Sequence, residues 1–90
     1  MNNLIYNNLK AIIDTWDPIG LLAMHAPLDE YDLETNQIYK LLKTQPKANA
    51  DFVAMCIYDI FIKSFGADVF RKDICDCLQV ANKILSYITQ

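Results

Sequence analysis

Two glycines and three prolines in ninety residues leave this chain few places to turn. A β-rich domain would need a turn about every 8–12 residues, so long elements joined by few connections fit better. Arginine occurs once, at Arg71, and histidine once, at His25. Nucleic-acid binding calls for a basic face, and base-stacking platforms need arginines among their aromatics. Five tyrosines supply rings (Tyr6, Tyr31, Tyr39, Tyr58, Tyr87) without such a setting, so no nucleic-acid partner is expected. No segment reaches the roughly 18 uninterrupted apolar residues of a transmembrane helix. Met1-Asn2-Asn3-Leu4 carries no basic region leading into an apolar stretch, so neither a membrane span nor a signal peptide is expected. Cys56, Cys75 and Cys77 are odd in number and form no disulfide framework. Reduced thiols in the cytoplasm are the simplest reading. A glycine-rich phosphate loop and a serine elbow are both missing.

What the chain does have is apolar content, at 53% of its residues. A domain this small buries only about 60–65% of the surface its unfolded form exposes, so most of that content must go to a single core spanning residues 1–90. Net charge is −3 and unevenly spread: about −5 over residues 1–39 and about +2 over residues 40–90. The acidic first part could meet a basic partner.

Four helical stretches follow from the spacing of apolar residues. Leu4, Ile5, Leu9, Ile12, Ile13 and Trp16 recur at threes and fours until Asp17-Pro18, where the residue before proline leaves the helical region. Residues 17–29 are irregular yet apolar, carrying Ile19, Leu21, Leu22, Met24 and Leu28. Such a loop should lie down over the core, with a helical turn near Leu21–Met24. A second helix is expected from about Asp29, with Asp29 as N-cap, acids in its first turn, and Ile38, Leu41 and Leu42 as its stripe. Gln45-Pro46 interrupts it. Asn49 or Asp51 can cap a third helix, whose face runs Phe52, Val53, Cys56, Ile57, Ile60, Phe61 and which Gly66 ends. A fourth opens between Ala67 and Asp73, with Phe70, Ile74, Cys77, Leu78, Ala81, Ile84, Leu85 and Ile88 in register. Short connections make this an all-α antiparallel four-helix bundle. The connection 17–29 exceeds the usual helix–helix length of about 2–8 residues, and long loops in compact domains are often functional.

The run Trp16-Asp17-Pro18-Ile19-Gly20-Leu21, followed by Asp29-Glu30-Tyr31-Asp32 and Ile38-Tyr39-Leu41-Leu42, resembles a group of small bacterial all-helical proteins. Many of these are of unknown function, and some look like immunity proteins of contact-dependent or polymorphic toxin systems. Phe65-Gly66 is a further landmark. The resemblance implies a four-helix domain, a toxin-neutralising role and no catalytic residues.

Among candidate sites, Asp29, Glu30, Tyr31, Asp32 and Glu34 stand out. Capping and helix-dipole compensation account for one or two of these acids at about 1 kcal/mol, not for four carboxylates and a tyrosine within six residues. Like charges so close repel by a few tenths of a kcal/mol per pair, and a cationic partner would offset that. Tyrosine is enriched at the energetic centres of interfaces. Asp17 is a second candidate contact, with a competing role in accepting backbone N–H groups of its own turn. The expected function is protein binding, as an inhibitor occluding the active site of a basic toxin such as a nuclease. The alternative is a self-associating helical protein, a homodimer for example. No enzyme activity, cofactor or metal is expected. The acids match no calcium loop, one histidine gives no zinc pattern, and His25 lacks an evident nucleophile. Cys56 reads as core, and Cys75 and Cys77 point about 200° apart on a helix, so only one of them can be buried.

Overall fold

A computed structural model describes residues 4–27 and 29–88; residues 1–3, 28, 89 and 90, and with them Leu28 of the apolar loop, lie outside that description. Four helices form, α1 (Leu4–Trp16), α2 (Asp32–Thr44), α3 (Ala50–Phe65) and α4 (Ile74–Ile88), arranged as an antiparallel four-helix bundle. They close into a ring. The backbones pack α1 against α2, α2 against α3, α3 against α4 and α4 against α1, and of the diagonal pairs α1 and α3 meet through the Trp16 and Phe61 rings. Each helix therefore buries a stripe toward the centre and keeps an outer face. No helix among the described residues is long and apolar enough to cross a membrane.

The stripes are the periodic residues. Leu9 and Ile13 of α1, Ile38 of α2, Val53, Ala54, Ile57 and Phe61 of α3, and Cys77, Val80, Ala81 and Ile84 of α4 make one core. Burial of each large apolar side chain is worth about 1.5–3 kcal/mol. Aromatics fill the end of the bundle where α1 stops. Phe61 stacks on Phe70 (5.3 Å) and on Phe65 (6.0 Å). Trp16 meets Phe61 and Phe70 edge-on, and Tyr31 meets Phe61 and Phe65 the same way. Trp16 thus plugs the bundle end at the point where its helix must stop.

Helix ends follow local chemistry. The Asn49 side chain accepts from Phe52 N at 2.9 Å and caps α3, and Gly66, at φ 83°, ends it. At the start of α4, Asp73 Oδ1 accepts from Asp76 N and Asp76 Oδ2 accepts from Asp73 N, a reciprocal pair that satisfies two otherwise orphaned donors.

Three expectations need correction. Asp29 is not the N-cap of α2: the helix begins at Asp32, Tyr31 holds the cap position without a side-chain cap bond, and the Asp29 carbonyl instead accepts from Asp32 N in a preceding turn. Phe70 is not on α4. It sits in the connection before that helix, yet is buried, because a single large ring can anchor an irregular segment as firmly as a helical stripe. Leu4, Ile5, Phe52 and Ile74, placed in stripes by their spacing, are exposed, since a ring-packed helix covers fewer turns at its ends than its periodicity suggests.

Candidate functional site

The segment 17–31 is built around one hydrogen bond. Trp16 ends α1, and Asp17 turns the chain through the left-handed region at φ 46°, which aspartate tolerates better than most residues. From there its carboxylate accepts from the Tyr31 hydroxyl at 2.6 Å and from Leu22 N and Ala23 N at 3.1 and 3.0 Å. The Tyr31 hydroxyl in turn accepts from Ile19 N at 3.2 Å and, less closely, Leu21 N at 3.4 Å. Four backbone N–H groups of the loop are thus satisfied by two side chains.

The far end of the loop closes by its own backbone. Ala26 N bonds to Leu21 O and His25 N to Leu22 O, with His25 left-handed at φ 67°. These are the 6→1 and 5→2 bonds of a Schellman turn, with histidine where glycine is usual. His25 is exposed and serves as this cap.

The electrostatics follow from these bonds. Burial alone would raise the Asp17 carboxyl, but the bonds from Tyr31 and from the Leu22, Ala23 and Leu21 amides hold it below the ordinary aspartate value. Burial, and the need to keep donating to Asp17, push the Tyr31 phenol up to about 12.

The expected acidic patch does not stand on the surface as one unit. Tyr31 is 0% exposed and belongs to the core, so it offers no contact to a partner. Glu34 is 3% exposed, and its Oε1 finds no hydrogen-bond partner among the described residues; Thr35 beside it is equally buried and its hydroxyl equally unpaired. The α2 stripe is therefore wide at its start. Asp32 is engaged internally: Lys10 Nζ donates to it at 2.6 Å and lies 3.1 Å from Asp14. Partial burial would lower the Lys10 ammonium, but its bonds to the two carboxylates outweigh that and raise it. Asp17 serves the loop. Asp29 remains exposed and Glu30 half-exposed.

Met24, expected to lie down over the core with the rest of the loop, is instead 67% exposed, because the Schellman turn at His25 lifts that end of the loop outward, and Leu33 is 64% exposed on the first turn of α2. Leu33 could have been found from its position, two residues from Tyr31 and therefore on the opposite side of the helix. The Lys10–Asp14 spacing of four was a readable sign of an ion pair; its reach to Asp32 was not. Elsewhere, Cys77 is buried, Cys56 half-buried and Cys75 exposed. Among the described residues, no three histidine, cysteine, aspartate or glutamate side chains gather where they could hold a metal ion.

Compared with known proteins, the chain matches no family model, and no curated protein or solved structure matches it either.

Proposed function

We propose that this chain acts by binding another protein, as an immunity-type inhibitor that covers the active site of a basic toxin, a nuclease for example. The observation that carries the reading is the pre-set loop. The Asp17–Tyr31 bond holds a long connection in one shape while Met24, Asp29, Glu30 and Leu33 stay accessible on it and on the turn that follows. Ordering an interface loop ordinarily subtracts from affinity, so a loop already ordered binds more tightly for the same contacts. Apolar side chains beside carboxylates suit a partner with cationic residues around an apolar patch. Asp29 and Glu30 carry the charge attraction, Met24 and Leu33 the apolar contact, and Asp17 and Tyr31 hold the shape.

The test is binding to, and protection from, a toxin domain encoded beside this chain's gene. Reversing both accessible charges (Asp29→Lys with Glu30→Lys) should slow association about tenfold and flatten its salt dependence. The control Asp68→Lys should do neither. Unchanged binding and protection after the double reversal would remove the reading.

A second reading, self-association, is favoured by α3. This helix is apolar almost all round, although only its inner side is packed. Met55 is 60% exposed, and with Ile74, Cys75 and Leu78 it lines a groove between α3 and α4. Sedimentation across concentrations decides it: a strict monomer at high concentration rules it out.

A further inference from the structure

Between α1 and α4 lies a groove of about 300 Å³ with a mixed lining, in which Ile12, Trp16 and Val80 supply the apolar part. That volume is at the lower end of small-molecule sites, which are typically apolar with a few placed polar groups. Lys72 and Lys83 also line it. Neither makes an ion pair among the described residues, where both salt bridges belong to Lys10. In a chain of net charge −3, two lysines in one groove without an internal carboxylate partner are out of keeping with the rest of the surface.

The groove's one carboxylate is already committed. Asp76 Oδ2 accepts from Asp73 N at 3.1 Å as part of the α4 cap. It lies four residues after Lys72, which precedes α4 in the chain, and both line the groove. On its own helix Lys83 has no acid within one turn, because α4 holds none after Asp76. Gln79, one turn before Lys83 on the same face, adds an amide that can donate to an anion.

We propose that this groove binds a small organic anion, one carboxylate or phosphate group on an apolar or aromatic body. Lys83 takes the anionic group, with Gln79 as second donor. Trp16, Ile12 and Val80 take the body. Lys72 contributes field rather than contact. The site is separate from the loop surface 24–33, so it stands or falls independently of the protein partner.

Phenyl phosphate is a suitable probe, with phenol and inorganic phosphate as its two halves. Trp16 is the only tryptophan, so its fluorescence reads the groove directly, and amide shifts at Thr15, Gln79 and Val80 locate the contact. A saturable response to phenyl phosphate is expected, about tenfold weaker for either half alone. Lys83→Gln should weaken binding about tenfold, the loss of one charge-assisted contact, whereas Lys72→Gln should weaken it about twofold or less. Lys83→Arg should restore binding. A Lys40→Gln, Lys63→Gln variant, altered on the α2–α3 side, should bind as the unaltered chain does. Because Lys83 is exposed, its variants keep the fold, which circular dichroism checks. The proposal is overturned by no saturable response up to about 10 mM, by an equal response to inorganic phosphate alone, or by unchanged affinity in Lys83→Gln.

Discussion

The Tyr31 hydroxyl donates to Asp17 Oδ1 at 2.6 Å across fourteen residues of chain, and through that bond the end of α1 is tied to the start of α2. The tyrosine ring is locked from the other side by Phe61 and Phe65. Loop shape and core packing therefore share one residue, and disturbing either disturbs both.

Tyr31→Phe tests this tie. It keeps the ring contacts but removes the donor to Asp17 and the acceptor for Ile19 N and Leu21 N. Leaving such groups unpaired costs about 1–3 kcal/mol, and each kcal/mol lowers the melting midpoint of a domain this size by about 4–8 °C. Asp17→Asn keeps the tolerance for the left-handed backbone, so its loss reports hydrogen bonding rather than strain. A double-mutant cycle between the two should show a coupling of about 0.5–3 kcal/mol. Additive losses would mean that the two side chains stabilise the loop separately.

The same bond sets a pH dependence. The Tyr31 phenol is held up to about 12 from an ordinary 10.0, so the fold favours its protonated form. The Cys77 thiol is likewise pushed up to about 12 from 9.0 by burial, then by Asp76 and Asp73. Stability from these groups is complete below their unfolded values and is lost as pH rises from about 9 toward 12. Asp17 works in the opposite direction. Its lowered value means its contribution is present above 3.8 and is lost as pH falls through its folded value. Chemical denaturation at several pH values should show both limbs, and Tyr31→Phe should flatten the part of the alkaline limb above pH 10.

How far the sequence reaches is visible in these same residues. Period and capping residues point to four helices, Asn49 and Gly66 mark the ends of α3, and two cysteines two positions apart must point different ways, as Cys77 and Cys75 do. The acidic run misleads because local charge density says nothing of the neighbours supplied by distant chain. Lys10 reaches Asp32 from 22 residues away, and Tyr31 is drawn inward by aromatics on α3. A run that reads as one exposed patch is therefore divided among core, ion pair and surface. Phe70 is misread for the reverse reason: its register fits α4, but Asp73 and Asp76 cap that helix three residues later.

Glu34 is a cost that mutation can remove. A carboxylate oxygen and, beside it, the Thr35 hydroxyl are buried on α2 without partners among the described residues. Replacing an unsatisfied buried group by an apolar one of similar shape is neutral to stabilising. Glu34→Met and Thr35→Val should each add about 1 kcal/mol and raise the melting midpoint by about 4–8 °C. A drop in stability with Glu34→Met would mean that the carboxylate serves the fold through contacts beyond those described.

The cysteines give a direct reading of local and global opening. Thiolate, not thiol, reacts, so exposure and acidity together set the order. Cys75 is exposed and should be labelled first by a thiol reagent at pH 8. Cys56 is half-buried, and burial, then Asp59, raise its thiol, so it should follow more slowly. Cys77 lies wholly in the core, and its labelling requires α4 to leave the bundle. Its rate should therefore track the unfolding equilibrium, falling with stabilising changes such as Glu34→Met and rising with Tyr31→Phe. Mass spectrometry of timed samples separates the three sites, and Cys75→Ser should abolish the fast phase alone. A Cys77 that labels as fast as Cys75 in the native state would mean that α4 opens independently of the loop tie, and that the ring of helices is not one cooperative unit.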